Sequence, residues 1–189
     1  MKIEFEKLIS KYLNDRQIAQ KSSDELMQYF SMCNYAKDHI LLTENGRTDF
    51  AYFIVKGAVR SYYLKDGKEV NTWFSFENEM VGSLHTYNGK TSRETFQVLE
   101  NSIFISINLH KLKSLTLTNI DISNFINAII EEYALFLEER LYFTQFTTSK
   151  KRYQYLLENE PQIFQRISLT DIASYLGISR ETLSRLRGM

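Results

Sequence analysis

The 189-residue chain has one cysteine, Cys33, and one proline, Pro161. A single thiol forms no internal disulfide and cannot by itself ligate zinc or an iron–sulfur cluster, so Cys33 reads as a partly buried free thiol. His39, His85 and His110 lie far apart with no metal-ligand spacing, and the cysteine has no histidine neighbour in sequence. No glycine-rich loop is built to cradle a phosphate. No enzymatic activity is therefore expected, and no catalytic or metal-ligating residue is assigned. Long uncharged apolar runs are missing too, and the N-terminus MKIEFEKLIS interleaves charges with its apolar residues. That pattern predicts a protein without membrane segments, located in the cytoplasm. Formal net charge is zero, which argues against a nonspecific nucleic-acid coat.

The zero conceals an asymmetry. From Lys150 onward seven Lys/Arg face four Asp/Glu, so a small basic module follows an acidic body. Within that module, residues 168–187 (SLTDIASYLGISRETLSRLR) read as two short helices joined by a tight turn. Ser168 and Asp171 form a capping-box pattern in which each side chain is expected to serve a backbone N–H of the first turn. Gly177 suits the turn, small Ala173 allows the helices to approach closely, and Ser179 caps the second helix. Leu183 and Leu186 recur at i, i+3 and face inward, leaving Ser179, Arg180, Glu181, Ser184, Arg185 and Arg187 on the outer surface. In a helix-turn-helix such a surface enters the major groove, where arginine grips guanine and a carboxylate accepts from cytosine. Arg180 and Glu181 are the candidates for base readout, Arg185 for base or phosphate, and Ser179 for a phosphate through its cap N–H groups. The alternative is a plain helical hairpin with an exposed charged face.

Residues 3–32 show helical spacing, with Phe5, Leu8, Ile9 and Leu13 in one segment and Leu26, Phe30 and Met32 in a second. Between them, Lys21-Ser22-Ser23-Asp24-Glu25 reads as a loop ending in a helix cap. From about His39 short β-rich runs alternate with turn signals: Ile40–Leu42, Tyr52–Val55, Val59–Leu64, Val70–Phe76, Thr95–Leu99 and Ile103–Ile107. Asp66-Gly67 is the strongest hairpin signal. The pattern predicts an antiparallel β-roll, with Trp73, Phe74, Tyr87 and Phe96 as core.

Phe53-Ile54-Val55-Lys56-Gly57-Ala58-Val59, the hairpin Asp66-Gly67-Lys68-Glu69, and Gly82-Ser83-Leu84 followed by Arg93 resemble the sensor domain of the Crp–Fnr family of bacterial transcription regulators. The C-terminal part, from Lys151-Arg152-Tyr153 through Leu156-Leu157 and Pro161 to Gly177, is similar to a compact branch common in Bacteroidetes. The resemblance implies an α+β chain in three parts: N-terminal helices with a cyclic-nucleotide-binding-like β-roll over 1–118, a dimerisation helix over 119–148, and a helix-turn-helix domain over 149–189. Cyclic-nucleotide sensors of the family use a Gly-Glu-Leu turn and an Arg-Ser-Ala strand. Here Gly82 and Leu84 keep the turn, but Ser83 replaces the glutamate that binds the ribose. Arg93 keeps the phosphate-pairing cation, while Glu94 replaces serine and Thr95 alanine. A carboxylate beside a phosphodiester repels it and is free to neutralise Arg93 instead. No cyclic AMP and no cofactor are expected; a different small-molecule effector, or none, is the alternative.

Asp121 to about Thr148 contains neither Gly nor Pro and reads as the longest helix. One apolar row holds Ile122, Ile126, Ile129, Tyr133, Phe136 and Phe143, interrupted by Arg140, and a second holds Ile130, Ala134, Leu137 and Leu141. Two rows exceed what one neighbour needs, which predicts a homodimer through residues such as Ile126, Ile129, Ile130, Tyr133, Phe136 and Leu137. A helix wholly buried within one subunit is the competing explanation. Thr147-Thr148-Ser149 reads as a hinge, and Lys150-Lys151-Arg152 as either a solvated face or a set of phosphate contacts. Many members of the family continue into a β-hairpin wing, whereas this sequence ends at Gly188-Met189, through either a wingless branch or a shortened chain. The expected partners are DNA with a palindromic operator and a second copy of the chain, with no membrane. The runner-up function is a ligand-binding sensor module whose helix-turn-helix contacts protein and no longer binds DNA.

Overall fold

The computed structural model describes residues 2–188; the side chains of residues 2–6 and 8, Phe5 and Leu8 among them, and all of Met1 and Met189 lie outside the described residues. Helices α1 (Lys2–Asp15) and α2 (Gln20–Met27) precede the strands. One antiparallel sheet runs β1 (Phe30–Tyr35), β8 (Ser102–Asn108), β3 (Phe50–Lys56), β6 (Met80–Val81). The other runs β2 (Ile40–Leu42), β7 (Thr95–Val98), β4 (Val59–Lys65), β5 (Lys68–Ser75). Between β4 and β5, Asp66 and Gly67 both adopt positive φ, 52° and 74°. Such a two-residue turn matches the twist of a hairpin and favours Asp-Gly.

Both faces of β3 are covered, which is why it reads as an unbroken apolar run. Tyr52 and Ile54 point between the sheets, toward Val59, Trp73, Phe96 and Phe104. Ala51 and Phe53 point the other way, into a layer of Ile9, Tyr12, Leu13 and Leu26 with Ile122, Phe125 and Ile126. Two short helices, α3 (Leu84–Tyr87) and α4 (Leu109–Thr116), and strand β6 have too little periodicity to be read from sequence.

Two N-terminal expectations change. Phe30 and Met32 belong to β1, opposite Ile107 and Ile105, because ladder pairing with β8 outweighs the i, i+4 spacing that links Leu26 to Phe30. Lys21–Glu25 lies within α2, and its serines are buried for close packing. Ser22 Oγ donates to Asp121 Oδ2 at 2.8 Å, and Asn119 Nδ2 donates to Ser22 Oγ and Glu25 Oε2.

Helix α5 (Ile120–Phe146) is N-capped by Asn119, whose side chain accepts from the N–H groups of Asp121 and Ile122. Its N-terminal half buries Ile122, Phe125 and Ile126, while Leu135, Leu137, Leu141, Tyr142 and Phe146 are 46–73% exposed. The helix is therefore not wholly buried in its own chain. Helices α6 (Ser149–Asn159), α7 (Ile163–Arg166), α8 (Leu169–Leu176) and α9 (Arg180–Arg187) complete the chain. Pro161 stands between α6 and α7, a helix too short to show in the pattern.

These helices do not hang from α5. Leu156, Ile163, Ile167, Ile172 and Leu183 share one apolar cluster with Ala58 and Phe76 of the roll. Arg166 grips Glu77 with two nitrogens, at 2.7 and 2.9 Å, and also meets Glu100. Burial raises the pKa of Glu77, but hydrogen bonds from Arg166 and from the Gly57 N–H outweigh it and bring the carboxyl from 4.5 to about 2. A depressed carboxyl contributes stability that is complete above 4.5 and lost as pH falls toward 2. Arg166→Gln is expected to flatten the pH dependence of thermal unfolding in that window. It should also cost about 1–2 kcal/mol at neutral pH, after allowance for partial solvent screening.

Candidate nucleic-acid interface and effector pocket

Ser168 Oγ accepts from the Asp171 N–H at 3.1 Å and donates to Asp171 Oδ2 at 2.6 Å. The second half of the expected capping box takes another form: Asp171 Oδ1 accepts from Arg60 Nη1 of β4 at 2.7 Å, so this carboxylate ties α8 to the roll. At the turn Gly177 has φ 65° and ψ 37°, and the N–H groups of Gly177 and Ile178 return to carbonyls of α8. Ser179 accepts from the Thr182 N–H, starting α9. Ala173 and Leu183 are buried between the helices, and Leu186 is half-buried.

Ser179, Arg180, Glu181, Ser184, Arg185 and Arg187 are all exposed along one face of α9. None of the three arginines forms an ion pair with the described residues; Arg185 touches only Thr182 Oγ1, at 3.3 Å. The Glu181 carboxyl sits below its usual range because its own backbone N–H and the Ser179 hydroxyl donate to it. The result is a cationic, fully hydrated helix face with one ionised carboxylate in its first turn.

The basic triplet divides. Lys150 and Lys151 are exposed. Arg152 is not available to phosphate: it donates to the carbonyls of Leu176, Phe143 and Thr147 at 3.0, 3.3 and 2.7 Å. These carbonyls lie at or just past the C-terminal ends of α5 and α8, where acceptors have no partner within the helix. Arg140, read above as an interruption of an apolar row, lies over the Tyr175 ring at 3.9 Å and donates to the Tyr175 carbonyl at 2.9 Å. Together the two arginines fix the hinge around α8.

The pocket residues do not converge as expected. Ser83 is buried and caps α3, while Gly82 and Leu84 are exposed. Arg93 is exposed and makes no ion pair among the described residues. Glu94 does not neutralise it. The Glu94 side chain turns into the roll, where Oε2 accepts from Ser61 Oγ and from Trp73 Nε1, the latter at 3.3 Å. Both residues lie in the bend ahead of β7, where Ser92 Oγ accepts from the Glu94 N–H and donates to the Glu94 carbonyl. Burial raises the Glu94 pKa, and the bonds from Ser61 and Trp73 pull it back in part. Thr95 is buried, with Oγ1 accepting from the Glu44 N–H. Trp73 and Phe96 are core, 5.0 Å apart, whereas Phe74 packs on Tyr175 of α8. Beside the Gly82 turn a separate cleft of about 120 Å³ is lined by Ser83, Leu84, Leu112, Ile129 and Tyr133. It holds no cation that would meet a phosphate.

Of the helix residues named for a dimer, Ile126 is buried, Ile129, Ile130 and Phe136 pack in part on the chain's own cores, and Tyr133 is half-buried beside Phe136. Leu137 is exposed. The roll uses the first apolar row, leaving the outer part of the second.

Residues 32–119 match the family of the cyclic nucleotide-binding domain. The fold is that of several solved regulators. FixK2 from Bradyrhizobium japonicum has 22% identity and TM-score 0.75, the alignment covering 84% of this chain and 83% of that one. The c-di-GMP responsive global regulator CLP of Xanthomonas campestris has 17% identity, TM-score 0.70 and 90% coverage of both chains. A regulator from Eubacterium rectale described as of the crp/fnr family has 18% identity and TM-score 0.70, with 90% of this chain and 82% of that one covered. No curated protein matches the sequence. Among the described residues no helix is long and apolar enough to cross a membrane, and no group of three His, Cys, Asp or Glu is placed to hold a metal ion.

The left-handed turn at Gly177 gives a local test. A Cβ there meets nothing within 4 Å, so Gly177→Ala carries only a backbone cost, about 1–2 kcal/mol. It should appear as earlier thermal unfolding, with amide exchange accelerated in α8 and α9.

Proposed function

We infer, from a chain that carries the cyclic nucleotide-binding domain and the fold of the Crp/Fnr regulators, that it is a homodimeric transcription regulator that binds DNA without cyclic AMP. The observation that carries this reading is the face of α9. Ser179, Arg180, Glu181, Ser184, Arg185 and Arg187 are exposed together on a helix whose opposite side, at Leu183, is anchored in a core shared with the roll. A groove can meet such a face without any rearrangement of the module. The working parts are the sensor over 1–118, the dimer helix over 119–148 and the reading module over 149–189. In the dimer two α9 helices lie about one DNA turn apart on a pseudo-palindrome.

Glu94 supports the lack of a cyclic AMP response. Its buried side chain brings a carboxylate to the roll interior, and Arg93 faces solvent. The dimer face is assigned to Leu137 and Leu141 with Ala134, the part of the second row that the roll leaves uncovered.

The reading is tested by selecting bound sequences from a random duplex pool with purified protein at near-physiological salt and no added ligand. An inverted repeat and a steep fall of affinity with salt are expected. Binding that ignores salt, or no binding with or without cyclic AMP and metabolite extract, would favour a protein-contact module. Arg180→Ala should cost about 1–3 kcal/mol and relax specificity at one base pair, measured by titrating single-base variants of the site. Uniform weakening across the variants would make Arg180 a phosphate contact. Leu137→Glu with Leu141→Glu should cost the dimer about 2–4 kcal/mol, read as monomers in sedimentation equilibrium. An unchanged dimer would move the interface elsewhere.

A further inference from the structure

A recess of about 270 Å³ lies between α1, the turn that joins β5 to β6, and the middle of α5. Of the six residues expected at an effector pocket only Gly82 lines it; Ser61, Arg93 and Glu94 do not. Its charges do not balance. The charged side chains that line it are Arg16 of α1, Glu132 of α5 and Glu79 of the turn. Arg16 lies over the Tyr12 ring at 4.0 Å, and its Nη2 donates to both Glu132 oxygens, at 3.3 and 3.1 Å, so these two neutralise each other. Glu79 forms no ion pair among the described residues.

The backbone at Glu79 is fixed. Asn78, at φ 70°, donates its N–H to the Ile54 carbonyl at 2.9 Å, and the Glu79 carbonyl accepts from the Ile54 N–H at 3.0 Å. The Glu79 side chain stays accessible to a solute. The surrounding protein nevertheless strips water from its carboxyl and raises it from 4.5 to about 7, opposed by the Ser75 hydroxyl and the Phe76 backbone and assisted by Glu160 and Glu77. Much of the remaining lining is aromatic. Tyr133 and Phe136 of α5 are stacked with ring centroids 6.2 Å apart, and Trp73 and Phe74 come from β5. Burial raises Tyr12 and Tyr133 to about 12, so neither supplies a second negative charge.

We propose that this recess binds a small organic cation, a primary arylalkylammonium whose head pairs with Glu79 and whose apolar body lies against Tyr133 and Phe136. Aromatic rings attract cations through their negative faces, and an ammonium returns to Glu79 the counter-ion that the protein withholds. Scarce water strengthens that pair for the same reason that it penalises the carboxylate alone. The Glu79 carboxylate and the Ser75 hydroxyl both accept hydrogen bonds, which favours a head that carries N–H groups. An anion meets the reverse: Glu79 and Glu132 oppose it, and Arg16 is already engaged.

The site goes beyond the regulator reading and requires no DNA, so either stands if the other fails. It is tested by calorimetric titration of the full chain with three solutes of one shape: 2-phenylethylammonium, 2-phenylethanol and phenylacetate. The ammonium should bind about tenfold more tightly than the alcohol, and phenylacetate should not bind. Glu79→Gln, which keeps the shape and removes the charge, should abolish the preference for the ammonium while thermal unfolding confirms the fold. The groups around Glu79 are Tyr12 and Arg16 from α1, Glu132 and Tyr133 from α5, Glu77 on its own turn and Glu160 from α6. The probe keeps its charge between about pH 6 and about pH 8, whereas Glu79 is protonated below about 7 and ionised above it. Affinity should therefore rise with pH across that window in the parent protein and stay level in Glu79→Gln. Equal affinity for ammonium and alcohol would make the recess merely apolar, and preference for phenylacetate would make Arg16 its anchor. Either result, or no binding of the ammonium at millimolar concentration, overturns the proposal.

Discussion

The arrangement of the whole chain depends on one constraint, the cost of burying a guanidinium. Arg60 sits at the seam between two sheet strands and a helix that follows it by more than 100 residues. Taken from water, it has to find an acceptor for nearly every N–H. Gln97, Glu69 and Asn71 provide them within the roll, and Asp171 provides the last from α8. Removing any of these leaves a buried charge short of a partner, a worse state than never having buried it. The same logic recurs at Arg166 between Glu77 and Glu100, and at Arg152 among three carbonyls. Arg60, Arg152 and Arg166, with Arg140 on Tyr175, are thus fasteners of the C-terminal helices, whereas the three arginines on α9 are exposed.

That division explains what the sequence could and could not disclose. The strands from Ile40 to Ile107, short β6 excepted, were legible because β3 and its neighbours bury both faces, and the Asp66-Gly67 turn has chemistry that few other structures want. The helix-turn-helix was legible for the same reason: Ser168, Gly177 and Ser179 satisfy local rules that operate over four residues. By contrast Arg152 and Arg180 look alike in a sequence. Only the carbonyls of Phe143, Thr147 and Leu176, brought together by tertiary packing, separate a clip from an exposed cation. Strand β1 was hidden because its pattern is that of a half-covered edge and its partner β8 lies about seventy residues away. The serines of α2 were misread as a loop for an analogous reason, since their partner is the distant cap of α5.

Glu94 is the clearest case at the candidate site. From sequence, its neighbour Arg93 is the obvious partner, but the bend ahead of β7, tied by Ser92 Oγ to the Glu94 N–H and carbonyl, leaves Arg93 exposed and turns Glu94 inward. The roll interior supplies Ser61 and Trp73 instead. The roll interior thereby keeps a buried acidic side chain against Ser61 and Trp73, and Phe96 of the aromatic core packs on that indole.

The packing of α1 and α2 bears on the order in which the chain can fold. Ile9, Tyr12, Leu13 and Leu26 meet Phe53, whose ring lies 4.7 Å from that of Tyr12, but their layer is completed only by Ile105, Leu112, Ile122 and Phe125. On a ribosome that delivers residues one at a time, the first two helices emerge about a hundred residues before the surface that will cover them. Their cover stays incomplete through that interval, and the layer closes only once the start of α5 has left the exit tunnel. The segment that matches the cyclic nucleotide-binding domain, 32–119, stops short of this point on both sides. The smallest piece able to fold by itself is therefore larger than the domain the family defines, and it includes the first two turns of the long helix.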